Sequence, residues 1–148
     1  MAEIGFYHLT RGGAETALPA LLGRTLASGK RALVLCGSAE RVAALDDALW
    51  LSQTPDWLPH GADGNPDADR QPIWLTIRDE APNAASFLFL IDGAGTARLP
   101  VFERVFDLFD GRDEEAVIAA RARWAAAKTQ GHGLAYWQQT ESGWVKRA

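Results

Sequence analysis

Two hydrophobic rhythms alternate along the chain. Ile4 to Leu9 is a short apolar run ending at the turn Thr10-Arg11-Gly12-Gly13, and Ala14 to Ser28 then sets Leu18, Leu21, Leu22 and Leu26 at helical spacing. Gly29 stops that helix, and Ala32-Leu33-Val34-Leu35-Cys36 is apolar enough throughout to be a strand buried on both faces. Gly37-Ser38 supplies a turn and an N-cap for a second helix, Ala39 to Trp50, with Val42, Leu45 and Leu49 on one face. Two strand-helix units in succession predict an α/β fold with a central, mainly parallel sheet between helical layers, three layers in all.

From Ser52 to Arg70 the composition shifts to Pro, Gly, Asp and Asn, which predicts a long surface loop outside the sheet, of the kind that carries function. Pro72 to Ile77 and Phe87 to Ile91 are the next predicted strands, separated by turn chemistry at Asp79-Glu80-Ala81-Pro82-Asn83. Leu99 to Phe109 reads as a third helix, broken by Asp110-Gly111. Asp113 caps a fourth, Glu114 to Thr129, which Gly131 ends. Leu134 to Gln139 and Gly143 to Lys146, around Glu141-Ser142, predict a closing strand or hairpin. No repeat or linker divides residues 1–148, so a single domain is expected.

Composition narrows the function. With 47% hydrophobic and 23% charged residues the chain can bury a core, and its one cysteine, Cys36, allows neither an internal disulfide nor a Cys-rich zinc site. Met1-Ala2-Glu3-Ile4 carries no basic or apolar leader pattern and no stretch is long enough to span a bilayer, so a cytoplasmic protein without membrane contact is expected. A net charge of -4 argues against tight binding to bare DNA or RNA. Six tryptophans beside one methionine are unusual, and those near loops or helix ends have the character of binding anchors.

Catalytic and cofactor chemistry finds little support. Gly37-Ser38 and Gly93-Ala94-Gly95 are the only glycine turns suited to a phosphate, and the third glycine position after Gly93 and Gly95 holds Arg98. No Gly-Lys-Ser/Thr triplet exists, so the sheet is expected to lack a nucleotide-binding fingerprint. His8, His60 and His132 lie far apart without metal-ligand spacing, Asp46-Asp47 point in different directions on a helix, and Cys36 sits inside a buried strand. No metal, cofactor or catalytic residue is expected. The competing reading is a small α/β enzyme that binds a nucleotide or phosphate near Gly37 or Gly93.

Binding chemistry is better represented. Val117, Arg121, Trp124 and Lys128 fall within a stripe about 60° wide on the last predicted helix. Two cations and a tryptophan on one face suit a peptide that is both acidic and aromatic. The plain alternative is a half-buried tryptophan beside solvated cations. Ile118, Ala122 and Ala125, centred about 100° away, are expected to form the face that packs on the domain. Trp50 lies off the apolar stripe of its helix and is expected to face the long loop. Trp57, inside that loop, either completes an apolar patch with it or pins the loop down.

Several segments in order resemble the chi subunit family of bacterial DNA polymerase III: Phe6-Tyr7-His8-Leu9, Leu45-Asp46-Asp47-Ala48-Leu49-Trp50, Leu58-Pro59-His60, Gln71-Pro72-Ile73-Trp74-Leu75, Phe102-Glu103-Arg104-Val105 and Arg121-Ala122-Arg123-Trp124. The resemblance spans almost the whole chain. It implies a Rossmann-like fold without nucleotide binding and a non-catalytic adaptor of the clamp loader, acting in the bacterial cytoplasm at the replisome. By resemblance, the acidic, Phe-containing C-terminal tail of single-stranded DNA-binding protein is received by the last helix, where Arg121, Arg123 and Trp124 match the family's Arg-x-Arg-aromatic motif. Val117 and Lys128 join the same surface, and DNA is reached only through that protein. Val117 and Ala125 stand where relatives carry lysines. The resemblance further implies that Trp50 and Trp57 receive the psi subunit or, at the same surface, a helicase.

Overall fold

The structure, a computed structural model, describes residues 2–53, 55 and 57–148. Eight strands form one sheet: β1 (Glu3–Leu9), β2 (Ala32–Leu35), β3 (Gly61–Ala62), β4 (Ile73–Thr76), β5 (Phe87–Ile91), β6 (Arg104–Asp110), β7 (Gly133–Thr140) and β8 (Gly143–Lys146). Their order across the sheet is β3-β4-β2-β5-β6-β1-β7-β8, with every neighbouring pair parallel except the terminal hairpin β7–β8. Helices α1 (Ala14–Ala27), α2 (Ala39–Leu51) and α3 (Glu114–Thr129) complete the elements. This is the expected single-domain, three-layer α/β fold.

Side-chain alternation sorts the layers. Tyr7, Leu9, Val34, Phe89 and Leu108 face one way, onto Leu18 and Leu22 of α1 and Leu45 and Leu49 of α2. Ile4, Phe6, Leu33, Leu88 and Phe109 face the other way, onto Ala120 and Ala127 of α3 and onto the β4–β5 and β5–β6 connections through Ala85 and Phe102. The central strands β2, β4 and β5 are buried at every position, as continuous apolar runs in a covered parallel sheet require.

Two expectations need correction. Leu99 to Phe109 is not a helix: a short 3-10 turn, Leu99–Val101, leads into β6, which pairs with β5 on one side and β1 on the other. The spacing of Leu99, Phe102, Phe106 and Phe109 imitates a helical face. The open slot between β5 and β1 makes the extended form the one that satisfies the backbone groups of all three strands. The segment Ser52–Arg70 is likewise not wholly outside the sheet, because β3 adds two residues to its edge and Ala68–Arg70 form a 3-10 turn.

Candidate functional site

The last helix begins at Asp113, whose carboxylate accepts a hydrogen bond of 3.0 Å from Glu115 N–H. Its packing face is Ala120 and Ala127, flanked by half-buried Val117, Arg123 and Trp124; Ile118, Ala122 and Ala125 are exposed. The expected packing face was therefore misplaced. Alanine packs as closely as any apolar residue, and side-chain spacing on an alanine-rich helix does not reveal which alanines are covered.

The predicted stripe lies along the border of α3 with the sheet. Val117 and Trp124 are half-buried, while Arg121 and Lys128 are exposed beside them. Trp124 meets Phe6 of β1 edge-on at 5.3 Å and Tyr136 of β7 at 6.0 Å. Tyr136 in turn shares a 2.6 Å hydrogen bond with His8 Nδ1. Burial, reinforced by the Arg121 charge, holds His8 below the ordinary imidazole pKa, so the ring is neutral at pH 7. A Cβ on Gly111 would collide with that ring, so the turn after β6 must be glycine for His8 to sit there.

His8 and Tyr136 are members of this surface that the periodicity of α3 could not disclose. Their signal lies in the sheet: β1 and β7 pair in parallel, Phe6 beside Tyr136, which sets the even-numbered residues of both strands under α3.

Arg123 is not on the stripe. It lies beneath the helix, its Nε donating to Asp107 Oδ2 at 2.7 Å and its Nη2 to Oδ1 at 2.9 Å. Asp107 is only 2% exposed. Burial pushes its carboxyl upward and the guanidinium pulls it back. A bidentate pair of this kind fixes α3 against β6 and with it the angle at which Arg121 and Trp124 are presented.

Trp50 and Trp57 are 63% and 70% exposed, and Leu51 between them in sequence is 78% exposed. Trp50 does face the loop, its ring 4.7 Å from that of His60. His60 is buried, with Nδ1 donating to Leu58 O at 2.6 Å and Nε2 facing Asp46 Oδ1 at 2.8 Å. Asp46 is thus a partner of the loop and not merely part of a solvated helix edge. Buried Leu58 holds the chain directly after Trp57, so Trp57 is displayed by an anchored loop. Trp74 is core, and Trp137 and Trp144 are half-buried against Tyr7. α2 and α3 cover opposite faces of the sheet.

At the carboxyl ends of the strands, where open α/β sheets receive phosphates, a crevice of about 530 Å³ is lined by Glu15, Arg41, Asp92, Asp110, Arg112 and Arg123 among others. Its cations are already matched. Arg41 holds Glu15 at 2.8 Å and Asp92 at 2.6 Å, and Arg112 holds Asp110 at 2.9 Å. Gly93 makes the turn after β5 at a φ of 80°, with Arg123 close by. Cys36 is buried and its thiol pushed up to about 12, chiefly by that burial and then by Asp92, which favours the protonated form. Among the described residues no cluster of His, Cys, Asp or Glu could hold a metal ion, and no helix is long and apolar enough to cross a membrane.

These features define a Rossmann-like α/β domain in which the arginines at the carboxyl ends of the strands are paired with carboxylates of the same chain. The chain belongs to the family described as DNA polymerase III chi subunit, HolC, which it matches over residues 1–135. It is also similar to a protein of Rickettsia prowazekii (strain Madrid E) named "Probable DNA polymerase III subunit chi", with 25% identity over 117 residues, 74% of this chain and 71% of that one.

Proposed function

We propose that this chi-family protein is a non-catalytic adaptor of the DNA polymerase III holoenzyme, joining the clamp loader to the C-terminal tail of single-stranded DNA-binding protein during replication in the bacterial cytoplasm. Support comes above all from the stripe on α3, where Arg121 and Lys128, in no ion pair among the described residues, flank a tryptophan packed against Phe6 and Tyr136. Arg121 pairs a carboxylate of the tail, Trp124 and Val117 offer apolar contact to its aromatic residue, and Lys128 adds attraction at longer range. Arg123 acts as a positioning residue through Asp107. The Trp50–Trp57 surface on the other side of the sheet receives the psi subunit or a helicase in its place. DNA is reached through the coating protein, consistent with the chain's net charge of -4.

Arg121→Glu should weaken binding of the tail peptide by about 2 kcal/mol, close to thirtyfold, and leave a weaker dependence on salt. Titration calorimetry at low and high ionic strength reads both. Unchanged affinity in the folded variant refutes the α3 site. Trp57→Ala should cost more than about 2 kcal/mol of binding to the psi subunit or its substitute and leave the tail peptide and the melting temperature almost untouched. A fall in melting temperature instead would make Trp57 a structural residue. A thermal-shift response to nucleotide and none to the tail peptide would favour the small-enzyme reading.

A further inference from the structure

A second aromatic and basic surface lies on the face of the sheet away from α3. Four adjacent strands, β5, β6, β1 and β7, contribute Phe87, Phe106, Tyr7 and Trp137 side by side. Tyr7 stacks on Phe106 at 5.5 Å and on Trp137 at 6.4 Å, and Trp144 of β8 closes on Tyr7 edge-on at 5.1 Å. Tyr7 can lie back along its own strand only because residue 5 is glycine: a Cβ there would stand 2.7 Å from the Tyr7 ring. Helix α1 runs along one side, so these residues form the floor and walls of a groove of about 310 Å³.

The rim is cationic. Arg104 lies over Phe106 at 5.0 Å and over Phe87 at 5.8 Å, and Arg24 projects from α1. Among the described residues neither arginine is ion-paired, unlike Arg41, Arg112 and Arg123. Glu3, in register with Arg104, turns its carboxylate over Gly133 instead. Burial pushes the Tyr7 hydroxyl above its ordinary pKa, and the charges of Arg104 and Arg24 oppose that rise. Trp137 and Trp144 lie beyond residue 135, where the match to the chi family ends. Those two tryptophans therefore lie outside that match, while Tyr7, Arg24, Phe87, Arg104 and Phe106 lie within it.

We propose that this groove is a docking site for an acidic peptide segment, one large apolar side chain entering between Tyr7, Trp137 and Trp144 while flanking carboxylates pair with Arg24 and Arg104. Its volume suits one such side chain, being at the low end for ligand pockets. Two free guanidiniums call for carboxylates in a geometry that favours arginine. A single-stranded nucleic acid fits less well. Two cations on an acidic protein make a poor footprint for a phosphate chain.

The test uses the pentapeptide acetyl-Asp-Asp-Phe-Asp-Asp-amide and its all-Asn counterpart with the full chain. Tryptophan indole N–H signals are followed by NMR and affinity by calorimetry. The acidic peptide should move the Trp137 and Trp144 signals, and the neutral one should bind at least tenfold more weakly. Arg104→Glu and Arg24→Glu should each reduce affinity tenfold or more, while Arg121→Glu leaves binding at this groove unchanged. Arg24 is exposed on a helix, so its variant keeps the test valid if Arg104→Glu fails to fold. The proposal is overturned by no binding at millimolar peptide, by equal binding of the neutral peptide, by shifts produced by oligothymidylate and not by the peptide, or by shifts that follow self-association. Perturbation confined to Trp124 and abolished by Arg121→Glu would also overturn it, while leaving the α3 tail site standing.

Discussion

Arg123→Ala is expected to lower the unfolding free energy by about 3–5 kcal/mol at pH 7, because it leaves the Asp107 carboxylate buried without its counter-charge. The loss has a definite pH dependence. Burial already holds the folded-state pKa of Asp107 above its ordinary value, with Arg123 opposing that rise. Without the arginine it rises further. The folded variant then keeps a proton that the unfolded chain releases, so its stability falls as pH increases through the window from about 3.9, the unfolded value, to the raised folded one. The gap between variant and wild type should therefore be markedly smaller at pH 4 than at pH 7. Urea denaturation at the two pH values reads it, and an equal loss at both contradicts the role given to Asp107. Replacing both partners, Arg123→Met with Asp107→Leu, should recover most of the stability. That double variant also asks whether the ion pair matters to tail binding. If Arg123 only positions α3, the repacked protein should still bind the tail peptide through Arg121.

Trp124→Ala is expected to cost about 2–3 kcal/mol of stability, less than a fully buried tryptophan because one side of the ring is open. The loss comes from its edge contacts with Phe6 and Tyr136. Tail-peptide affinity should fall tenfold or more with the salt dependence nearly intact, since apolar contact and not charge has been removed. Trp124→Phe separates the two effects. It should restore much of the stability through Phe6 while regaining only part of the affinity. Thermal unfolding and calorimetry on both variants check this, and a loss of stability with full tail affinity would make Trp124 core alone.

Much of the architecture was legible because local pattern and tertiary environment agree. The continuous run Ala32–Cys36 has no polar face, so only a strand covered on both sides could use it. Asp113, Gly131 and the spacing between them set the limits of α3 without help from neighbours. The segment 99–109 was not legible. Its apolar residues fit both a helical face and a strand buried on two sides, and the choice rested on hydrogen-bonding partners from β1 and β5 that lie far off in sequence.

The same division runs through the candidate surfaces. Residue spacing was enough to align Val117, Arg121, Trp124 and Lys128, since all lie on one helix with a known period. The exposure of Trp50 likewise followed from its angle to Val42, Leu45 and Leu49. Spacing put Arg121 on the stripe and Arg123 off it, but it could not show that Arg123, which the family motif sets beside Arg121, is held by Asp107 under the helix while Arg121 reaches solvent. Nor could it assemble Tyr7, Phe106, Trp137 and Trp144, which come from four strands whose order in the sheet is not their order in the chain. Helical faces are written locally because the period is short. Partners across a parallel sheet are chosen by how the crossovers pack, and that choice is made only when the whole chain folds.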